Sequence, residues 1–199
     1  MKNITANEMK ILLVLFKDIS TSYNANSISK VVGITPMGAL KILKKMEKEN
    51  LVVSKKLGHA SFYKPNMDDQ YPGMCIRFLL QKEAEESQPA IKRWANELKE
   101  FAKFAKIGIL FGSVTQDPHS AKDIDILLVF EKSQMKKIQE LIQEKNKINI
   151  KKIHVIKQTE KDLKENIKRK DKVLLSILKR GIVVFGHEEL IEVIKDAAY

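Results

Sequence analysis

The stretch Asp123 to Phe130, DIDILLVF, constrains the fold of this chain more than any other. Two aspartates alternate with two isoleucines, and the apolar residues then carry on to Phe130. Period-two alternation of this kind marks a β-strand. On a strand, Asp123 and Asp125 leave the same face with α-carbons about 6.6 to 7 Å apart, while Ile124 and Ile126 enter a core from the other. Two carboxylates so placed can hold Mg²⁺ through oxygen and still leave positions for phosphate oxygens. In a cleft such a pair is costly unless a cation neutralises it.

Upstream, Ile107 to Phe111 is a second short strand candidate, followed directly by Gly112-Ser113. A glycine there lets the backbone approach a phosphate, and a serine hydroxyl with the amides of a following helical turn can donate to anionic oxygens. Strand, Gly-Ser, short helical segment, then Asp-x-Asp on the next strand resembles the minimal nucleotidyltransferase family. The resemblance runs from about Ile107 to Gly186 and includes the closing LLSILKRGIVVFG. It implies a fold like that of DNA polymerase beta and transfer of a nucleotidyl group from a nucleoside triphosphate to a hydroxyl. By that resemblance Gly112 and Ser113 grip the nucleotide, and Asp123 and Asp125 are the catalytic, metal-holding carboxylates.

Two departures stand against full activity. Active members add a third carboxylate on a following strand. The matching strand here is INIKKIHVI, Ile148 to Ile156, and from Lys145 to Thr159 there is no acidic residue. Lys151, Lys152 or His154 would stand in that place, where a cation is expected to lower the aspartate pKa values and compete with Mg²⁺. Many members also place an arginine soon after the serine, where this chain has Val114, Thr115 and Gln116.

The first third has a different pattern. Thr5 can cap a helix whose Met9, Leu12, Leu13, Leu15, Phe16 and Ile19 recur at helical spacing. A short helix over Ser27 to Val32, with Ile28, Val31 and Val32 turned inward, ends at Gly33 in a left-handed conformation. Thr35-Pro36 starts a third helix, running to about Asn50, with Leu40, Leu43 and Met46 on one face. LVVSKK, LGHA and SFYKP then read as strand, turn, strand. Three helices and a hairpin match a winged helix-turn-helix, and the segment resembles MarR-type winged-helix regulators over most of residues 5–66. The resemblance implies DNA contacts from Thr35, Met37, Gly38 and Lys41 in the major groove. Lys44 and Lys45 would lie nearer phosphates, with Lys55, Lys56 and His59 on the wing.

Charge agrees with that reading. Of a formal net charge of +11, residues 1–66 contribute eleven lysines against four acids, without a single arginine. An excess of this kind favours a polyanionic partner, here double-stranded DNA, and the missing arginines remove bidentate guanine reading. The one cysteine, Cys75, excludes an intrachain disulfide and suits a reducing, cytoplasmic setting as a buried small side chain. The longest apolar runs are too short to span a bilayer, so no membrane role is expected.

The expected architecture is α/β (α+β): a winged helix at 1–66, a boundary at Asp68 to Gly73, a helical connector at 67–106, and a nucleotidyltransferase-like mixed sheet with helices at 107–199. In the connector a stripe of Ile91, Trp94, Leu98, Phe101 and Phe104 or Ala105 packs on a neighbour or serves a homodimer contact. The expected function is a DNA-binding regulator whose second domain is catalytically impaired and senses a nucleotide or dimerises. One alternative is an active Mg²⁺-dependent nucleotidyltransferase that takes a further carboxylate from Glu160 or Asp162. Another is an antitoxin paired with a small helical toxin.

Overall fold

The computed structural model describes residues 4–199. They divide into two units, one ending at Leu79 and one spanning Leu80–Tyr199. The first unit runs α1 (Ala6–Lys17), α2 (Ala25–Val32), α3 (Pro36–Lys48), β1 (Val52–Leu57), β2 (Ala60–Pro65) and the first part of α4 (Gln70–Glu85).

Local chemistry sets these boundaries. The Thr5 hydroxyl accepts from the Glu8 amide while the Glu8 carboxylate accepts from the Thr5 amide at 2.7 Å, a reciprocal cap for α1. Asn24 caps α2 in the same way, so that helix starts at Ala25, two residues earlier than expected. Gly33 closes it at φ +77°, and Thr35 caps α3 with Pro36 at the first helical position. Ile11, Leu12, Phe16, Ile28, Leu43 and Met46 are wholly buried, each contributing roughly 1.5–3 kcal/mol relative to exposure. Val31, expected to turn inward, is 54% exposed, because an eight-residue helix buries only one stripe, here through Ile28.

β1 and β2 form an antiparallel hairpin in which Leu57 faces Ala60 across Gly58-His59. The segment after α1 joins it, since the Tyr63 amide donates to the Tyr23 carbonyl at 2.8 Å. The Tyr23 phenol donates to Asp18 at 2.7 Å, and burial together with that carboxylate pushes its pKa up to about 12.

Within the expected boundary at Asp68 to Gly73, a turn at Asp68 and a bend at Asp69 lead directly into a continuous helix from Gln70. Pro72 and Gly73 lie in the first turn of α4, where a proline costs no helical bond, and the division between units falls within α4, after Leu79. Cys75 is half-buried rather than fully buried, and burial pushes its thiol pKa up.

The second unit continues with α5 (Pro89–Leu98), β3 (Ile107–Phe111), β4 (Asp123–Val129), α6 (Met135–Ile148), β5 (Lys152–Gln158), α7 (Glu160–Lys168), α8 (Lys172–Arg180), β6 (Ile182–Phe185) and α9 (His187–Ala198). Its sheet has the order β5-β4-β3-β6, with β3 antiparallel to both neighbours and β4 parallel to β5 across the α6 crossover. The fold is mixed α/β, as expected. Ile124, Ile126 and Leu128 meet Ile91, Ala95 and Leu98 of α5 and Ile138 and Leu141 of α6 in one core. The residues expected as a separate connector therefore belong in part to the second unit, because the α5 stripe covers one face of its sheet.

The strand expected at Ile148 begins only at Lys152. α6 keeps burying Ile138, Leu141 and Lys145 at helical spacing and holds Ile148 as its last residue. Lys145 is almost fully buried and pairs with Glu97 at 2.7 Å and Glu100 at 2.8 Å, joining α6 to α5 and to the 3-10 turn that follows it. Among the described residues no helix is long and apolar enough to cross a membrane.

Candidate functional site

The end of β3 and the start of β4 bring Gly112 and Asp125 together. Phe111 is the register partner of Asp125, and the chain then turns at Gly112 with φ +80° into a 3-10 turn over Ser113–Thr115. A Cβ on Gly112 would fall on the Asp125 carboxylate, so the close approach of turn and carboxylate requires glycine twice over, for space and for the backbone angle. The turn is held by the Thr115 hydroxyl and amide, both donating to the Gly112 carbonyl, at 2.9 and 3.2 Å. Ser113 is exposed, with its side chain uncommitted among the described residues.

Asp123 and Asp125 alternate with buried Ile124 and Ile126, as expected from the sequence. They share the sheet face of Leu127 and Val129. The side chain of Asp125 is 31% exposed. Its pKa is raised: burial disfavours the anion, the His154 imidazole opposes this, and Asp123 reinforces it. The expectation that a neighbouring cation would lower it is thus overturned, because desolvation outweighs a histidine that sits in solvent.

The third position of the site is on β5. Asp123 is in register with Lys152 and Asp125 with His154. Lys152 turns its ammonium to the Asn146 carbonyl, and Lys151 donates to the Pro118 carbonyl at 2.7 Å, tying β5 to the loop before β4. Neither lysine ammonium is placed against the aspartates. His154 is: its Nδ1 lies 3.9 Å from Asp125 Oδ1.

Glu160 and Asp162, the alternative carboxylates, follow the far end of β5. Gln158 pairs with Val129, four residues along β4 from Asp125, about 13 Å away. Glu160 is engaged by Lys106 and Lys164, and Asp162 caps α7 through Thr159. Neither reaches the pair.

A cavity of about 360 Å³ opens beside Gly112. Thr115 and Gln116 line one side, and Lys172, Ser176, Ile177 and Arg180 of α8 line the other. Sequence reasoning missed the α8 residues, although they lie within the segment LLSILKRG and just before it. Only the pairing of Ile182 with Leu110 and of Val183 with Ile109, which lays the start of β6 beside the end of β3, brings them to Gly112.

The family model described as the nucleotidyltransferase domain matches residues 91–184. The match supports a nucleotidyltransferase domain over this segment. The match starts at Ile91 rather than Ile107, and so takes in the helix that covers the sheet. No curated protein and no solved structure matches the chain. The matched segment offers two carboxylates for a metal, Asp123 and Asp125. Among the described residues no group of three or more His, Cys, Asp or Glu side chains is placed to hold an ion. The residues fit one Mg²⁺ completed by water and substrate phosphate, and do not fit the acid-rich set that two ions require.

The second group of expected residues lies in the first unit. Thr35, Met37, Lys41 and Lys44 are exposed on α3, with Met37 at 74%, and Gly38 is half-buried behind the Thr35 cap. Met37, Lys41 and Lys44 follow at i, i+4 and i+7 and share one face. Lys55, Lys56 and His59 are exposed at the hairpin end. Lys45 departs from expectation. Its ammonium lies 2.7 Å from Glu8, whose carboxylate is only 2% exposed. Burial would raise the Glu8 pKa, but the hydrogen bonds from Lys45 and Thr5 override it and hold the carboxyl below its usual range.

Proposed function

We propose that this chain is a DNA-binding regulator in which a winged helix in the first unit reads duplex DNA and a catalytically impaired nucleotidyltransferase domain senses a nucleotide. The observation that carries the second half is His154. It occupies the position on β5 opposite Asp125 where transfer chemistry needs another anion. A site with two aspartates and an imidazole can still bind a nucleotide through one Mg²⁺, with Gly112 and Ser113 approaching the phosphates. It has no third carboxylate to draw the proton from an attacking hydroxyl.

The first half is supported by the exposed, lysine-rich face of α3 and by the basic hairpin end, where phosphate contacts would dominate affinity. With no arginine in residues 1–66, selectivity would come from shape and from the small groups at the start of α3 more than from bidentate guanine contacts.

The deciding experiment is incubation with α-labelled ATP and Mg²⁺, with DNA or candidate acceptors present, for the wild type and for His154→Asp. The wild type is expected to bind ATP without transferring label, and His154→Asp to bind Mg²⁺ more tightly. Label transfer by the wild type, abolished by Asp123→Asn, would establish an active nucleotidyltransferase instead. The fit of Gly112 against Asp125 favours that second reading, because it preserves the approach of turn to carboxylate that substrate binding needs.

A further inference from the structure

The turn after Gly112 brings no cation of its own. Ser113, Val114, Thr115 and Gln116 are all neutral, so nothing on it can balance the outer charge of a triphosphate. The opposite wall of the same cavity is different in kind. Lys172, Ser176 and Arg180 stand at i, i+4 and i+8 on α8 and line the cavity together, with Phe111 and Ile177 as its apolar part. Both cations are exposed, and among the described residues neither has a carboxylate within 4.0 Å. Most lysines of the neighbouring α7 and of the β3 start are committed to acids: Lys106 to Glu131, Lys164 to Asp196.

The backbone explains why these cations face Gly112. α8 ends at Arg180, and a Cβ on Gly181 would overlap Ile109 and the Ile177 carbonyl, so the helix end is pressed onto β3. β6 then pairs Ile182 with Leu110, two residues before Gly112. Arg180 is thereby carried to the open end of β3, on the side of the cavity facing Thr115 and Gln116.

We propose that Lys172 and Arg180, with the Ser176 hydroxyl between them, hold the outer phosphates of a nucleoside triphosphate in this cavity and replace the basic side chain that the Gly112 turn lacks. The inference rests on the nucleotide-binding reading of the domain and adds to it a specific anchor. A guanidinium offers phosphate a planar pair of donors, and the ammonium adds a mobile point charge.

The test is calorimetry on the full chain with Mg²⁺·ATP, inorganic tripolyphosphate and adenosine. It compares the wild type with Lys172→Met, Arg180→Met and the double variant, with Lys136→Met on the surface of α6 as the control for net charge. Each single variant is expected to bind ATP and tripolyphosphate about tenfold more weakly, the double variant about a hundredfold, at an unchanged melting midpoint and with Lys136→Met like the wild type. If the wild type binds ATP and the α8 variants match it, the anchor is wrong and the nucleotide reading survives. Weakened ATP binding with unaltered tripolyphosphate binding, or an equal loss in Lys136→Met, also overturns the anchor. A wild type that binds neither probe overturns the nucleotide reading and the anchor together.

Discussion

Substituting alanine for Gly112 imposes two costs at once. The residue sits at φ +80°, and the added methyl would meet the Asp125 carboxylate. We expect Gly112→Ala to lose about 1–3 kcal/mol of stability and most of its Mg²⁺·ATP affinity, read by denaturant unfolding and calorimetry. Asp125 gives the opposite sign. Burial makes its ionised form unfavourable, and a group whose folded pKa lies above its unfolded value costs stability at every pH where the folded form is ionised. Asp125→Asn removes that cost, so the metal-free protein should melt higher while losing Mg²⁺-dependent nucleotide binding. A fall in the midpoint would show that the carboxylate supports the fold.

At the level of elements, α3 carries two neighbouring lysines with different work. Lys44 is exposed and free to meet phosphate, whereas Lys45 holds Glu8 of α1. Lys44→Ala should weaken duplex binding without changing the melting midpoint. Lys45→Ala should lower the midpoint first, because it leaves a buried carboxylate without its cation. Since the folded Glu8 pKa lies below its unfolded value, its contribution is fully present above the unfolded pKa and disappears as pH falls through the folded one. The midpoint difference between wild type and Glu8→Gln, measured from about pH 6 down to about pH 3, should shrink towards zero. In the second unit Lys145 joins α6 to Glu97 and Glu100 while nearly fully buried. Lys145→Ala should cost about 1–3 kcal/mol in denaturant unfolding, chiefly because it opens a void between α5 and α6; Glu97 and Glu100 are part-exposed, and Glu100 keeps Lys103.

For the whole molecule, charge is the quantity that matters. The net +11 is concentrated in residues 1–66, in the same unit as the α3 face and the hairpin end. Binding to duplex DNA should therefore fall steeply with salt, log K against log salt being linear, and Lys44→Ala should flatten the slope by about 1. A slope unchanged by Lys44→Ala, Lys55→Ala and Lys56→Ala together would remove DNA from the list of partners.

The chain's own residues determined its elements and half of its site. Thr5, Gly33, Thr35 and Pro36 announce helix ends because caps and special backbone angles act over three or four residues. The alternation in DIDILLVF fixes a strand with both aspartates on one face for the same local reason. The sequence also excludes an acid between Lys145 and Thr159, and so bars a third carboxylate on β5 before any fold is known. Everything that depends on which strand lies beside which needed the tertiary structure. Parallel pairing of β4 with β5 chose His154 over two lysines as the neighbour of Asp125, and pairing of β6 with β3 carried Lys172 and Arg180 to Gly112. Packing of α3 on α1 pairs Lys45 with Glu8, which its spacing beside Lys44 does not reveal. Register and packing join residues tens of positions apart, and the spacing of side chains along the chain contains no record of that choice.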